Sequence, residues 1–238
     1  MTSAIETKAA AVSAPSGTPE HVPDQSDPRR GEAHRQIRAL RENVGRLGDG
    51  AIDLILRGAR SHYAWTDQSI SDQEIRELYE IVKMGATSMN GCPARFVFVR
   101  TQVGKERLAQ ALKPANVAKM MGAPVTAIVA YDPEFWTKLP QLFPHEDRRG
   151  HFAEKPDFAE ETAFRNATLQ GAYLMIAARA LGYDVGAMSG FSNTIVDAEF
   201  LPDSTWKSNF LCNIGYADET AVFQKLPRLN FDEACFFA

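Results

Sequence analysis

The sequence predicts an α+β fold that is mixed α/β in character and rich in helix. Apolar residues recur with helical spacing over most of the chain after residue 50, and they alternate with only three or four strand-like segments. The chain has 238 residues, of which 45% are hydrophobic, and this is enough for one sizeable core or at most two small ones. We therefore expect a compact domain in which helices outnumber strands.

The first 50 residues differ in composition from the rest. Residues 2–32 are rich in Ala, Ser, Pro and mixed charge, and such a segment cannot bury enough surface to offset its ordering entropy. We predict a disordered extension over residues 1–50 and a compact domain over residues 51–238. Four apolar residues near the end of the extension have the spacing of a marginal helix: Ile37, Leu40, Val44 and Leu47.

The compact domain begins with amphipathic helices. Residues 51–61 place apolar side chains on one face, and residues 71–86 do so more strongly. Ser71 is a suitable N-cap for the second of these helices, and Glu74 follows three residues later as in a capping box. Two shorter helices are predicted next, over residues 104–113 and 116–124.

Three segments have the composition of strands: residues 95–100, 125–132 and 210–217. The second is apolar except for Thr126, as expected when both faces of a strand are covered. The longest predicted helix spans residues 159–182 and is apolar nearly all round in its second half. This pattern predicts a buried helix, either in the core of one chain or in a dimer interface.

Charge and cysteine content limit the functional classes. A formal net charge of −4 gives no reason to expect binding to nucleic acid or to a membrane surface. The three cysteines, Cys92, Cys212 and Cys235, are far apart and form no CxxC, which favours a reducing cytoplasm. No apolar run approaches the roughly 20 residues that span a bilayer, and the N-terminus has no secretory pattern.

Several common motifs are missing. The sequence contains no strand–GxGxxG–helix pattern, no phosphate-binding loop of the GxxxxGK[ST] type and no GxSxG. His145 and His151 flank an acidic and basic stretch, but their six-residue separation matches no common ligand spacing, so we predict a solvated loop and no metal site. Cys92 has no recognisable partner in the sequence, and we interpret it as a packing residue.

One long loop precedes the first strand. Residues 85–94 are nearly all small, polar or turn-forming, and they include Thr87, Ser88 and Asn90. Small and hydroxyl residues allow backbone to approach a flat or anionic ligand closely. A simple polar connection between a helix and a strand is the alternative.

Four other stretches favour a ligand. Arg60, Ser61 and His62 stand at a helix end, where they suit a phosphate. Asn116 and Lys119 share one helix face. A second small-residue stretch contains Met188, Ser189 and Gly190, and a late basic stretch, "KLPRL", contains Arg228.

Taken in order, these pieces resemble the nitroreductase family of flavoproteins. The matching stretches are "ARSHYAW", "ATSMNGCPARF", "NVAK", "MSGF" and "KLPRL", and the resemblance runs from about residue 51 to the end. "LFPH", "AEETAFRN", "MSGF" and "LPRL" are similar to the branch that includes malonic semialdehyde reductases of pyrimidine breakdown. The resemblance implies a central sheet flanked by helices, in an intertwined homodimer with FMN at its interface.

The resemblance also implies roles for individual residues. Arg60, Ser61, His62 and Arg228 would meet the phosphate or ribityl end of FMN, and Thr87, Ser88 and Asn90 would reach the flavin from the partner subunit. Asn116 and Lys119 would lie at the polar edge of the ring, where a cation stabilises negative charge on the flavin. Met188, Ser189 and Gly190 would line the ring. Four residues depart from the family pattern: Tyr63, Ala86, Cys92 and Ser189.

The function we expect is that of an FMN-dependent NAD(P)H oxidoreductase in which the flavin carries the chemistry and no side chain acts as a nucleophile. The branch resemblance implies that malonic semialdehyde is reduced to 3-hydroxypropanoate by ping-pong hydride transfer. The alternatives are a broad nitro or quinone reductase, reductive dehalogenation, and a flavin-binding protein with little turnover.

The segment over residues 132–158 contains five aromatic residues, counting neither of its histidines, and four prolines. It is predicted to be either a lid over the flavin or padding of the domain's own core. As a lid, it would bring Arg148, Arg149 or Arg165 to a substrate carboxylate. The sequence does not distinguish among these three arginines.

Overall fold

A computed structural model of the protein describes residues 28–238. It divides into two units, one ending at Leu47 and the other spanning Gly48–Ala238. The disorder predicted for residues 1–27 lies outside the described residues. No helix in the described part combines the length and the apolar character that a membrane crossing requires.

The described part of the first unit is a single helix, α1 (Pro28–Asn43). Ile37 and Leu40 lie in this helix and are about half exposed, as are Val44 and Leu47, which follow the end of the helix. The marginal helix that the spacing of these residues indicates is therefore present only as far as Asn43, and it occupies part of the extension predicted to be disordered.

A four-stranded antiparallel sheet forms the centre of the second unit. Its strands are β1 (Ala94–Val99), β2 (Val125–Tyr131), β3 (Asp184–Met188) and β4 (Lys207–Gly215). They are arranged in the order β1-β2-β4-β3, so β1 and β3 are the edge strands. The predicted α+β fold class is confirmed.

Helices flank the sheet, and the predicted helices at residues 51–61, 71–86, 104–113, 116–124 and 159–182 each correspond to one of them, with bounds that differ by a few residues. They are α2 (Asp49–Ile52), which continues as a π-helical turn over Asp53–Arg57, α3 (Asp72–Val82), α4 (Gln102–Ala109), α5 (Pro114–Gly122), α6 (Leu139–Leu142), α7 (Arg149–Ala153), α8 (Pro156–Ala180), α9 (Asn193–Phe200) and α10 (Phe231–Ala234). The predicted capping box is present at α3, where Ser71 and Glu74 bond reciprocally.

Helices cover both faces of the sheet, and this explains why the sequence of β2 is almost entirely apolar. Ala127 and Val129 pack with α3 and α8 in one core cluster, whereas Ile128 packs with α4, α5 and α9 in another. Every residue of β2 is buried as a result. The alternation of side chains along the strand assigns neighbouring residues to opposite layers.

The long helix α8 is buried on one side only. Its buried face consists mostly of small and polar residues, such as Ala163, Ala167 and Thr162, together with the larger Leu174. Phe164, Leu169 and Ile176 remain between 38% and 48% exposed. The burial all round that the sequence predicts is therefore not reached within one chain.

The aromatic segment over residues 132–158 belongs largely to the domain's own core. Phe135 and Phe152 are almost fully buried, and their ring centroids lie 5.0 Å apart. They form a third cluster with Leu139 and with the small residues at the start of α8. Of the two predicted roles, lid or core, Phe135 and Phe152 therefore have the core role, whereas Phe158 stays exposed.

Strand β3 and the helices α6, α7, α9 and α10 are not predicted from the sequence. The sequence of β3 is DVGAM, and its Gly and Ala have low strand propensity. The local pattern therefore indicates only a stretch of small residues. Pairing with β4 over five residues overrides that weak local preference.

Candidate functional site

The segment that carries Arg60, Ser61 and His62 runs along the outer edge of β3. Ser61 forms a parallel bridge with Val185, and the His62 N–H donates to the Val185 carbonyl at 3.0 Å. The approach is close because position 186 is glycine: a Cβ there would lie 2.5 Å from the His62 carbonyl oxygen. The edge strand thus fixes the backbone of this segment.

Four predicted phosphate-binding residues line one cavity of about 450 Å³. Arg60, Ser61 and His62 form one wall, and Arg228 belongs to the opposite wall, which is the C-terminal segment after β4. The remaining lining residues are Ala59, Tyr63, Ala64, Asp218, Ala221, Val222, Phe223, Gln224, Lys225 and Leu226. The fold therefore brings together residues from the two ends of the compact domain.

The cations of this cavity bond to carbonyl oxygens. Arg60 Nη1 donates to the Phe223 carbonyl at 2.5 Å, and Arg228 Nη1 donates to the carbonyls of Leu226 and Pro227. Lys225 Nζ donates to the Arg57 carbonyl, at the end of the π-helical turn that follows α2. In the described part of the chain, no carboxylate forms an ion pair with any of the three, so their charge is available to an anion.

His62 is backed by a partly buried charge pair. Its Nε2 lies 3.3 Å from Asp184 Oδ1, and the same carboxylate pairs with Arg179 from the end of α8. Burial lowers the pKa of His62 below its usual value, while Asp184 opposes and the cations of Arg179 and Arg60 assist that shift. The imidazole is therefore neutral near pH 7 in this state.

A second group of predicted residues assembles where β3 ends. Asn116 Nδ2 donates to the Gly190 carbonyl at 3.2 Å, and Lys119 Nζ donates to Asn116 Oδ1 at 3.3 Å. The backbone N–H of Lys113 also donates to the Gly190 carbonyl. A Cβ at position 190 would lie 2.6 Å from Asn116 Nδ2, so only glycine leaves this amide in place.

Tyr63 and Trp65 join the two groups. Lys119 Nζ lies 4.6 Å from the centroid of the Tyr63 ring, a cation–π contact, and Tyr63 directly follows His62. Trp65 Nε1 donates to the Lys119 carbonyl at 2.9 Å. The predicted phosphate wall and the predicted ring-edge cluster are thus parts of one connected surface.

The other two residues of the small stretch after β3 differ in exposure. Met188 is buried, and its Sδ accepts a long contact of 3.8 Å from Asn213 Nδ2. Ser189 is exposed beside it. Ser189 and Gly190 are therefore accessible from the same side as Lys119, whereas the Met188 side chain is mostly part of the core.

The loop with Thr87, Ser88 and Asn90 has an unusual backbone. Met89, Asn90 and Cys92 have φ angles of 51°, 50° and 42°, in the left-handed region that non-glycine residues rarely adopt. The Thr87 hydroxyl accepts from the Cys92 N–H at 3.1 Å, and Asn90 Nδ2 donates to the Leu142 carbonyl at 2.9 Å. Left-handed backbone at non-glycine residues is unfavourable, and it is retained only where surrounding contacts stabilise it.

Helix α8 supplies that support with three side chains at successive turns. Asn166 Oδ1 accepts from the Ser88 N–H at 2.8 Å, and Gln170 Oε1 accepts from the Ala94 N–H at 2.9 Å. The Tyr173 hydroxyl donates to the Ala86 carbonyl at 2.9 Å. Asn166 and Gln170 are buried polar residues whose role the sequence did not indicate.

One chain does not bring this loop to the other predicted residues. The loop leads into β1, whereas His62 and its neighbours lie along β3. These edge strands are separated by three strand spacings, about 14 Å. Within one chain, Thr87, Ser88 and Asn90 therefore stand apart from the cavity around Arg60.

The chemistry of the donor set suits a phosphorylated flavin better than a metal. Arg60, Lys225 and Arg228 offer charged N–H donors to a phosphate, and Lys119 with the backbone at Gly190 offers donors beside an exposed surface. Within the described part of the chain, no three His, Cys, Asp or Glu side chains converge as a metal ion would need.

The sequence profile of the Nitroreductase family matches residues 56–216, which is more than half of the chain. The chain belongs to the nitroreductase family. The match covers Arg60 to Gly190 of the predicted site residues and ends before Arg228.

Solved structures of this family share the fold at low identity. A candidate nitroreductase from Exiguobacterium sibiricum, in complex with FMN, is 21% identical, with a TM-score of 0.69 over 82% of this chain and 100% of its own. A nitroreductase family protein from Streptococcus pneumoniae is 20% identical, with a TM-score of 0.68 over 76% of this chain and 96% of its own. A candidate NAD(P)H:FMN oxidoreductase from Staphylococcus epidermidis is 18% identical, with a TM-score of 0.69 over 82% of this chain and 98% of its own.

Proposed function

We propose that this nitroreductase-family chain is an FMN-dependent oxidoreductase, which accepts a hydride from NADH or NADPH and delivers it to a small acceptor. One observation carries the proposal: the motif residues Arg60, Ser61, His62 and Arg228 converge on one cavity, and no carboxylate in residues 28–238 forms an ion pair with its cations. The solved structures described above support it, because one of them is named as a complex with FMN and another as an NAD(P)H:FMN oxidoreductase.

The cavity holds the phosphate end of the cofactor. Arg60 and Arg228 donate charged N–H groups from opposite walls, and Ser61 adds a hydroxyl. Both guanidiniums already bond to carbonyl oxygens, which fixes their orientation without neutralising their charge. A preorganised anion site of this kind loses little side-chain entropy on binding.

The cluster of Asn116, Lys119 and Gly190 at the end of β3 contacts the ring system of FMN. Bound FMN supplies the two-electron chemistry that transfers a hydride first from the nicotinamide and then to the acceptor. Lys119 places a positive charge at this surface, held by Asn116 Oδ1 and the Tyr63 ring. Ser189 and Gly190 let the ring lie against backbone.

The site is completed by a second copy of the chain. Thr87, Ser88 and Asn90 lie at the far edge of the sheet, so they reach a flavin only from another subunit. Two exposed apolar surfaces favour such a dimer: the outer face of α8 and the C-terminal segment, where Phe223, Phe236 and Phe237 are 75–91% exposed. An intertwined homodimer would cover both.

The acceptor we propose is malonic semialdehyde, with 3-hydroxypropanoate as product. The aldehyde carbon takes the hydride and its oxygen takes a proton from solvent or from an acidic group. The four matching stretches named above support this acceptor. All three arginines considered for its carboxylate are ion-paired, Arg148 with Glu146, Arg149 with Asp147 and Arg165 with Glu161, so none of them is singled out.

The decisive experiment is spectroscopic. The purified protein should show flavin absorbance with one FMN per chain, NADH or NADPH should bleach it anaerobically, and an acceptor should restore it. Malonic semialdehyde, a quinone, a nitroaromatic and a halogenated phenol are compared at equal concentration. Bleaching without reoxidation by any of them would indicate a flavin-binding protein with little turnover.

Arg60→Ala tests the cavity itself. Loss of a charge-assisted contact costs about 1.5–3 kcal/mol, so the dissociation constant of FMN should rise by at least about tenfold. Arg165→Ala is the matched control, because it removes a guanidinium from an exposed helical pair outside the cavity. If both variants bind FMN as the wild type does, the phosphate does not occupy this cavity.

A further inference from the structure

Asp184 joins three separate parts of the domain through one carboxylate. Its Oδ1 contacts His62 Nε2 at 3.3 Å and pairs with Arg179, and its Oδ2 accepts from the Ala217 N–H at 2.9 Å. Ala217 begins the segment that leads to Arg228. Asp184 therefore connects both walls of the phosphate cavity, although it does not line that cavity itself.

We propose that Asp184 is a positioning residue that holds His62 on the cavity wall and couples binding of the FMN phosphate to uptake of a proton by His62. This inference rests on the proposed function, since it assigns the phosphate to the cavity of Arg60 and Arg228. Asp184 acts through His62 and through the backbone at Ala217, without touching the cofactor.

The charges around His62 set the direction of the coupling. Arg60 lies on the same segment as His62, Arg179 lies on α8, and Asp184 lies on β3. The cavity adds one anion and two cations: Asp218, Lys225 and Arg228. Four of these six groups are cations, and their positive charge disfavours protonation of His62 until an anion binds.

A bound phosphate reverses that balance. In the ligand-free protein burial lowers the pKa of His62, so the imidazole is neutral at pH 7. A phosphate dianion beside the ring favours the imidazolium and raises its pKa in the complex. Binding therefore takes up a proton, and His62 contributes more to FMN affinity as the pH falls through this range.

The carboxylate of Asp184 makes this proton uptake possible. His62 and Arg179 are both mostly buried, with side chains 12% exposed, and Asp184 is the anion between them. Without its charge, an imidazolium would face the Arg179 guanidinium with no intervening negative group. Asp184→Asn keeps the size of the side chain and removes that charge.

The test measures dissociation constants of FMN and riboflavin for the full chain stripped of flavin, by fluorescence quenching between pH 5.5 and 8.5. Asp184→Asn should weaken FMN binding about tenfold at pH 6 and by less than about threefold at pH 8.5. The ratio of variant to wild type at each pH cancels the ionisation of the FMN phosphate itself, which lies near pH 6. Riboflavin lacks the phosphate, so its affinity should change little at any pH.

Three further variants make the result specific. His62→Gln should reproduce the pH-dependent loss, and the double variant should lose no more than His62→Gln alone, because the two residues act as one unit. Asp218→Asn is the matched control: it removes a carboxylate that lines the same cavity and that, among the described residues, accepts hydrogen bonds from Thr220 and does not contact His62. It should leave the pH trend in place.

The outcomes separate the inference from the proposed function. If wild-type protein binds no FMN, the proposed function fails. If FMN binds but Asp184→Asn weakens it equally at all pH values, or weakens riboflavin to the same extent, Asp184 has only a structural role and the coupling is wrong.

Discussion

Gly186 shows how a single residue determines the geometry of the site. Its missing side chain lets the His62 carbonyl approach β3, where a Cβ would come within 2.5 Å of backbone oxygen. Gly186→Ala should therefore push the Arg60–His62 segment away from the strand, at a cost of about 1–3 kcal/mol in the free energy of unfolding. We expect a lower melting temperature together with weaker FMN binding, measured by calorimetry and fluorescence quenching.

Gly150→Ala is the control for this substitution. A Cβ at position 150 would meet nothing closer than 3.9 Å, the far end of the Glu154 side chain, and the residue lies in helix α7. Alanine has the higher helix propensity by up to about 1 kcal/mol, so stability should hold or rise. Equal behaviour of the two variants would show that the close approach at Gly186 is not what fixes His62.

Candidate site residues can be proposed from the sequence where they carry their own chemistry. Arg60, Asn116 and Lys119 stand out because charged or amide side chains in a fixed spacing suggest a ligand. Asp184 and Asn166 do not stand out, because their significance depends on partners that only the folded chain brings near. No local pattern distinguishes a carboxylate that holds His62 from one that faces solvent.

Helix α8 acts as the scaffold of the loop before β1. Asn166 is buried, and its Oδ1 accepts the Ser88 N–H at 2.8 Å. Asn166→Leu keeps the branched shape and the number of heavy atoms of the side chain but leaves that N–H without a partner, which costs about 1–3 kcal/mol. The left-handed backbone at Met89 and Asn90 should then relax, and we expect about a tenfold loss of FMN affinity, measured by fluorescence quenching.

Two neighbouring changes define what this result means. Asn166→Asp retains an acceptor for Ser88 and should recover part of the affinity, whereas a loss due to poor folding would not be rescued. Arg165→Gln alters the adjacent, exposed residue of α8 and should leave binding unchanged. If Asn166→Leu binds FMN normally, the loop does not reach the cofactor in either subunit.

The elements that were predicted correctly are those with strong local signals. A single stretch of sequence is enough to recognise the capping box of α3, the apolar run of β2 and the long helix α8. β3 does not, because a strand of Asp, Val, Gly, Ala and Met forms only by pairing with β4. The packing of Phe135 and Phe152 into the core likewise depends on contacts with α8 that no local pattern encodes.

At the scale of the whole molecule, the chain separates at residue 47. The unit that follows contains the entire sheet and every predicted site residue, and it begins at Gly48. A protein that starts at Gly48 should therefore fold, bind FMN and turn over as the full chain does. Circular dichroism, FMN titration and NADH oxidation compare the two, and a truncated protein that loses FMN would show that the first unit contributes to the site.

The strongest prediction at this scale concerns the second copy. The C-terminal segment carries large apolar side chains that the single chain leaves uncovered: Phe223, Leu226, Leu229, Phe231, Phe236 and Phe237. At the other side of the sheet, the edge strand β1 borders a cavity of about 700 Å³ with Phe96 and Phe98 on its apolar surface and several cations at its rim. The acidic and aromatic end of the chain, "FDEACFFA", complements such a surface in both charge and polarity.

We therefore expect the full chain to run in light scattering at twice its mass of 26.3 kDa, and to lose this state when the terminal aromatics are removed. Phe236→Ser with Phe237→Ser should shift the protein toward monomer at micromolar concentration and weaken FMN binding in parallel, because a monomer lacks the partner's loop. Cys235→Ser, a polar change at the adjacent exposed residue, is the control and should stay dimeric. A double variant that remains dimeric would place the interface elsewhere, with the exposed face of α8 as the next surface to test, whereas a wild-type monomer that holds FMN would contradict the shared site itself.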